Sequence, residues 1–184
     1  MKITFVQVWK SLLLTLYGLA GSVAVGLMLH GIGVFNPRGA EFAFVSFGAA
    51  GAFIFSVYHI RGLSNALTAA VCVSAVQFVV AASWVPVFNS AVWSFGVNLP
   101  VVWLAFLFER RLAAFHWGKF AVVGGVYGVM FVLLTLLVGV VQNIPDMPAA
   151  LFRANFLDGL MIGLGMGLGV QAAETFIHSL AEKK

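Results

Sequence analysis

Six long apolar stretches, separated by short polar breaks, make up most of this chain of 184 residues. They cover residues 12–29, 42–60, 66–85, 91–108, 120–141 and 156–177. A helix that crosses the hydrocarbon core of a bilayer needs roughly 20 mostly apolar residues, and each stretch is close to that length. The pattern therefore predicts an all-α fold, a compact bundle of six transmembrane helices in a polytopic membrane protein.

The composition agrees with this pattern, because 62% of the residues are hydrophobic and only 9% are charged. Soluble domains carry about 25% charged residues. Six helices and their loops use the whole length, which predicts a single transmembrane domain over residues 1–184. The net charge of +4 is explained by membrane orientation, so we expect no nucleic acid partner.

Basic residues indicate the orientation, because cytoplasmic loops of membrane proteins collect Lys and Arg. With the N-terminus inside, only Arg38 and Arg153 lie in outer segments, and the other eight of the ten basic residues lie in inner ones. The bias predicts that both termini are cytoplasmic in a multi-pass protein of the cell membrane, here the bacterial inner membrane. The alternative is a signal peptide with Lys2 and Lys10 as its basic region and a cleavage site near residues 22–26. It fits less well because the first apolar run is longer than a signal peptide requires.

Stripes of small residues at four-residue spacing predict how the helices pack, because lipid gives helices no hydrophobic reason to associate and close backbone approach must replace it. The last helix is the strongest case and is expected at the bundle centre with two neighbours; the alternative is a flexible gating helix. The stripes are Gly18, Ser22, Gly26; Gly48, Ala52, Ser56; Ala66, Ala70, Ser74; Gly124, Gly128; Gly159, Gly163, Gly167; and Gly165, Gly169.

Polar residues at membrane depth are the candidate functional residues, since each is costly unless it is paired or faces water. Asp158 lies inside the last predicted helix, three residues after Asn155 and close after Arg153. With Arg38, Asn89 and Asn98, these residues form our hypothetical ligand-binding site in an outward vestibule. The alternative is an interfacial network that caps the last helix.

A second polar group lies toward the inner end. Gln171 and Glu174 share a face of the last helix, and His59, Arg61 or Arg110 is expected to meet Glu174 there. Such an ion pair stabilises orientation, and a proton or ion relay is the alternative. Pro100, in the middle of the fourth helix, predicts a kink because proline removes one backbone hydrogen bond.

We expect no enzyme activity, no cofactor and no metal site. The four histidines are scattered, and no two of them have the four-residue spacing of a zinc-binding helix. No Gly-x-Ser-x-Gly motif is present. Cys72 is the only cysteine, which excludes an intramolecular disulfide, and we expect it to be a small core residue.

Two functions fit these observations: a transporter or transporter subunit for a small solute, or a non-catalytic subunit of a larger respiratory or photosynthetic membrane complex. Both imply contact with the lipid bilayer and a membrane-protein partner or homo-oligomer. Six short-looped helices with a small-residue Ala20-x-x-x-Ala24 motif look something like the substrate-binding subunit of energy-coupling-factor vitamin transporters. In that family such a motif contacts the coupling subunit, but no vitamin-site signature is found here.

Reporter fusions test the predicted topology. A cytoplasm-active reporter should work after Lys184 and within the loop of residues 110–119, and an externally active reporter should work after Asn36 and after Asp146. The reason is that the basic loops stay inside. External activity at Lys184 would contradict the model of six spans.

Overall fold

The computed structural model describes residues 4–33, 40–110 and 119–181, and six α-helices contain nearly all of these residues. The helices are α1 (Phe5–Gly31), α2 (Ala40–Arg61), α3 (Leu63–Ala81), α4 (Val87–Arg110), α5 (Lys119–Val141) and α6 (Ala149–Ala181). The shortest, α3, has 19 residues. At a rise of 1.5 Å per residue it is about 28 Å long, close to the thickness of the hydrocarbon core.

Five of these helices, all except α2, are long and apolar enough over their described residues to cross a membrane. Large apolar side chains such as Phe5, Leu133 and Val140 are exposed, whereas Ser22 and Asn98 are fully buried. In a water-soluble protein the large apolar residues would be inside and the polar ones outside. The chain is therefore a multi-pass integral membrane protein whose outer surface contacts lipid.

Local sequence explains where the helices begin and end. At the start of α1 the Thr4 hydroxyl accepts a hydrogen bond from the Gln7 N–H at 3.4 Å, while the Gln7 side chain accepts one from the Thr4 N–H at 3.2 Å. This reciprocal capping box satisfies two backbone donors. Gly62, with φ of +79°, adopts a conformation that glycine tolerates without a Cβ clash, so one residue suffices to separate α2 from α3.

Most helix ends differ from the sequence prediction by a few residues, and three of them have an informative position. The first helix begins at Phe5 rather than at residue 12, and α6 begins at Ala149 rather than at residue 156. Pro148 directly precedes α6, where the missing N–H of proline costs nothing. The third helix ends at Ala81 rather than at residue 85, because Pro86 disfavours the helical conformation in the residue before it.

The six helices form a closed ring, because each packs against the next along the chain and α6 returns to α1. Two further contacts, α2 with α4 and α2 with α6, cross this ring. Among the described residues α2 therefore contacts four helices and α6 contacts three. The two most extensive helix contacts, with α5 and with α1, belong to α6, as expected of a central helix. The buried run Ala50, Gly51 and Ala52 gives α2 one neighbour more.

The predicted small-residue stripes are confirmed as buried helix faces. The buried residues of α3 are the predicted Ala66, Ala70 and Ser74. The buried residues of α1 are the three of its predicted stripe and Leu14. The stripes of α2, α5 and α6 are also buried. Small residues therefore lie on the contact faces of these five helices, as expected where lipid supplies no hydrophobic drive for association.

One glycine row of α6, Gly159, Gly163 and Gly167, faces α5. A Cβ atom built on Gly163 would lie 2.7 Å from the carbonyl oxygen of Val123 and 2.8 Å from Cα of Gly124. These distances are well inside van der Waals contact. The backbones of α5 and α6 therefore touch directly, with no room for a side chain between them.

A second row, Gly165 and Gly169, faces α1. A Cβ on Gly165 would overlap the backbone of Gly21 and Ser22, and a Cβ on Gly169 would overlap the carbonyl of Tyr17. Gly165 meets Ser22, and Gly169, further along α6, meets Tyr17, which comes earlier in α1. The two helices are therefore antiparallel. The predicted packing of two neighbours against α6 through adjacent glycine faces is confirmed.

The prediction that Cys72 is a small core residue is wrong. It is exposed on α3, not a core residue, because the buried face of this helix is occupied by Ala66, Ala70 and Ser74. Its thiol lies instead toward the groove between α1 and α3 that is described below.

Substitution of Gly163 by Ala should destabilise the protein, because the added methyl group would meet the α5 backbone, which cannot move aside as a flexible side chain can. Overpacking of this kind costs about 1–3 kcal/mol. The measurement is thermal or denaturant unfolding of the purified protein in mild detergent.

The matched control is Gly125→Ala on α5, where a Cβ would meet nothing within 4 Å. There the higher helix propensity of alanine should leave stability unchanged or raise it by up to about 1 kcal/mol. If Gly163→Ala and Gly125→Ala unfold at the same temperature, α5 and α6 are not in backbone contact.

Candidate functional site

Asp158 lies on the face of α6 that packs against α1. It is one helical turn before Ile162 and two turns before Gly165, and both of these residues contact Ser22 of α1. The Ser22 hydroxyl donates a hydrogen bond to the Ile162 carbonyl at 3.2 Å. Because the helices are antiparallel, Asp158 stands level with the part of α1 that is about one turn beyond Ser22.

The Asp158 carboxylate is half-buried, and its Oδ1 atom is buried without a hydrogen-bond partner among the described residues. Asp158 comes nine residues after Ala149, the first residue of α6, which places it about 14 Å into the helix. An ionisable group inside a span is disfavoured by roughly 2.5–3.5 kcal/mol on insertion scales. Its exposed part and its unpartnered oxygen make Asp158 a candidate ligand for a donor or cation.

Asn155 is engaged with a different neighbour. Its Nδ2 donates to the Thr135 hydroxyl of α5 at 2.9 Å, and this hydroxyl donates to the carbonyl of Phe131 at 2.8 Å. Arg153, one turn before Leu157, is exposed near the start of α6. Asn155 and Asp158 are thus one turn apart, but the amide stabilises the α5–α6 contact while the carboxylate faces α1.

Asn98 is fully buried where α4 packs against α3. Its Nδ2 donates to Gln77 Oε1 at 2.5 Å and lies 3.3 Å from Ser74 Oγ, which in turn reaches the carbonyl of Ser94 at 3.0 Å. In the described residues no Cα atom of α3 or α4 lies within 8 Å of one in α6. Asn98 therefore belongs to the α3–α4 contact and not to the surroundings of Asp158.

Asn89 and Arg38 complete the hypothetical outer site. Asn89 Oδ1 accepts a hydrogen bond from Gln142 Nε2 at 2.6 Å, which joins the start of α4 to the residue after α5. Arg38 lies outside the described residues. The described members of the hypothetical site are thus distributed over four helix contacts, and their binding of a ligand stays a prediction.

At the inner end the structure brings two predicted residues to one place. His59 of α2 and Glu174 of α6 line the same narrow cavity, whose walls include Tyr58 and Phe108. Gln171 is half-buried one turn before Glu174. The ion pair itself stays a prediction. Arg61 is absent from this cavity and lines a separate groove with α1 and α3.

Sequence reasoning missed the partners that hold these polar groups. Gln77, Thr135 and Gln142 accept or donate the hydrogen bonds described above. One of these partners could have been found from the sequence, because Thr135 is a lone polar residue inside an apolar run of α5. Across the described ranges of the chain, no three His, Cys, Asp or Glu side chains lie close enough together to hold a metal ion.

Comparison of this chain with protein-family models, with curated proteins and with solved structures finds no match. The side chains described above are therefore the basis on which a function is assigned.

A double-mutant cycle tests the contact between α5 and α6. Asn155→Ala and Thr135→Val, alone and together, should show a coupling free energy of about 0.6 kcal/mol, with an upper value near 1.7 kcal/mol, as for other interhelical hydrogen bonds in membranes. Unfolding in detergent measures it. The control pairs Asn155→Ala with Thr68→Val on the distant α3, where the coupling should vanish. Equal coupling in the two cycles would mean that the hydrogen bond does not hold the helices together.

Proposed function

We propose that this protein is a transporter, or the solute-binding subunit of a transporter, for a small solute that reaches Asp158 from the outer side of the membrane. The buried Oδ1 of Asp158, which has no hydrogen-bond partner within the described part of the chain, carries this proposal. A structural role at this position would be filled at lower cost by Asn, which carries no charge.

The chemistry of the carboxylate defines the class of solute. A half-buried carboxylate in low-dielectric surroundings attracts a cationic group or a strong hydrogen-bond donor. The glycine contacts of α6 with α1 and α5 fix the backbone that carries Asp158, so the carboxylate is held in place before the solute arrives. Preorganisation of this kind raises affinity because less freedom is lost on binding.

The proposal includes six spans with both termini cytoplasmic. Five helices qualify as spans over their described residues, and the 22 residues of α2 give it the length of a sixth. An even number of spans puts both termini on one side, and the basic residues favour the cytoplasm. Asp158 then lies in the outer half of α6.

A second function, a non-catalytic subunit of a larger membrane complex, has its own support. Asn89, Asn98 and Asn155 each bond to a neighbouring helix, as expected of residues that only stabilise a bundle. Ala20 and Ala24 are both exposed on α1, where a small-residue surface permits close approach of a helix from another protein.

Asp158→Asn separates the two functions. The purified protein is screened by thermal shift against a panel of small amines and other organic cations, and any solute that stabilises it is then tested for uptake into proteoliposomes. Stabilisation and uptake should be lost in Asp158→Asn while the melting temperature without solute stays within a few degrees of the parent, because only the charge is removed.

Asp146→Asn is the matched control. Asp146 is exposed in the loop between α5 and α6 with φ of +55°, a conformation that Asn also tolerates, so solute binding should be unchanged. If Asp158→Asn instead unfolds or loses co-purifying membrane proteins, and no solute in the panel distinguishes it from the parent, the subunit function is supported and the transporter function is wrong.

A further inference from the structure

A lateral groove lies on the side of the bundle away from α5, between α1 and α3, with α2 as its floor. Its volume is about 630 Å³, and its walls include Gln7 and Leu12 of α1, Phe53 and Arg61 of α2, and Cys72 of α3. No Cα atom of α1 lies within 8 Å of one in α3 among the described residues. The two helices stand apart, and the volume falls in the range of small-molecule sites.

The length of the groove is set by α2. Phe53 and Arg61 both line it, and the eight residues between them correspond to about 12 Å along the helix axis. The groove therefore runs parallel to the helices from Arg61, at the end of α2, into the depth of the membrane. A space that extends in this direction, open on its side, can accommodate a hydrocarbon chain that lies parallel to the helices.

Most polar groups in the groove are already bonded within the protein. The Ser11 hydroxyl bonds to that of Ser56 at 2.6 Å, the Thr15 hydroxyl donates to the Ser11 carbonyl at 2.8 Å, and the Thr68 hydroxyl donates to the Ser64 carbonyl at 3.1 Å. The hydrogen atom of each of these hydroxyl groups is therefore already used in a hydrogen bond within the protein, so that mainly carbon atoms face the groove. The walls are accordingly apolar along most of their length.

Arg61 is the exception. It is half-buried, and its Nη2 atom is buried without a hydrogen-bond partner among the described residues. Gly62, which follows it, has no side chain to cap α3, and α3 begins at Leu63, two residues after Arg61. A helix N-terminus and a guanidinium together favour a phosphate group.

We propose that the lateral groove binds an anionic phospholipid, with the phosphate at Arg61 and the start of α3 and one acyl chain along the floor formed by α2. Three observations agree on this occupant: the groove opens on the lipid-facing side of a membrane protein, its length is apolar, and the one buried donor without a partner among its described residues is cationic. The basic residues place this end at the cytoplasmic leaflet, where anionic lipids are concentrated. The proposal is independent of Asp158, which lies on α6.

Native mass spectrometry of the full-length protein in mild detergent tests the proposal. The protein is incubated with equal amounts of dioleoyl phosphatidylglycerol and dioleoyl phosphatidylcholine, which share their acyl chains and differ in head-group charge. The parent should retain the anionic lipid about five-fold more than the neutral one, as expected for one Arg near the membrane surface. Equal retention of the two lipids would overturn the proposal.

The head-group contact is tested by Arg61→Gln, in which the two lipids should be retained equally, and by Arg61→Lys, which should keep most of the preference. Arg153→Gln, an exposed Arg near the start of α6, is the matched control and should leave the preference unchanged. A preference that survives in Arg61→Gln would overturn the proposal. If Arg61→Gln does not fold, the proposal is tested by the lipid preference of Arg61→Lys and by the lipid retention of Ala69→Trp.

The acyl-chain contact is tested by Ala69→Trp, which fills the groove and should reduce retention of both lipids. Ala75→Trp is the control, because Ala75 is exposed on α3 and does not line the groove. Displacement of the lipid by excess inorganic phosphate, with no effect of Ala69→Trp, would indicate a free-anion site and overturn the proposal. A change in oligomeric state in Ala69→Trp with unchanged lipid retention would indicate a second copy of the chain in the groove, and would also overturn it.

Discussion

Direct contact between the backbone of α6 and those of α1 and α5 is the constraint on which the rest of this bundle depends. In lipid, apolar side chains gain nothing by leaving their surroundings, so helices associate through close packing and hydrogen bonds. Gly163 against Val123, and Gly165 against Gly21, provide that packing. The contact of α6 with α1 also closes the ring of helices, because it joins the last helix to the first.

The close approach determines what polar groups can do. It brings the Ser22 hydroxyl within 3.2 Å of the Ile162 carbonyl, and similar short contacts use the side-chain N–H groups of Asn98 and Asn155. Two charged side chains, Asp158 and Arg61, keep a buried atom without a partner among the described residues. Since an unpaired charge is costly in a membrane, these two residues are where an external ligand would gain most from binding.

The position of α2 relates the two proposed sites to the fold. Its run of small residues lets four helices contact it, while α1 is drawn toward α6 by the glycine rows. As a result α1 and α3 contact α2 but not each other, and the lateral groove is the space that remains between them. The lipid proposed at Arg61 would lie between α1 and α3, and the solute proposed at Asp158 would lie at α6, so the two sites are separate.

The sequence by itself determined the membrane class, the six helices and the buried small-residue faces of all of them except α4, because apolar length and small-residue spacing are local properties of the chain. The stripe Ala66, Ala70, Ser74 is an example, since it is the whole buried set of α3. Only the tertiary structure decided which polar residues meet. Asn98 bonds to Gln77 and not to a residue near Asp158, and Cys72 lies in a groove and not in a core. Both depend on which helices are neighbours and how they are rotated, and helical spacing within one segment contains no information about that.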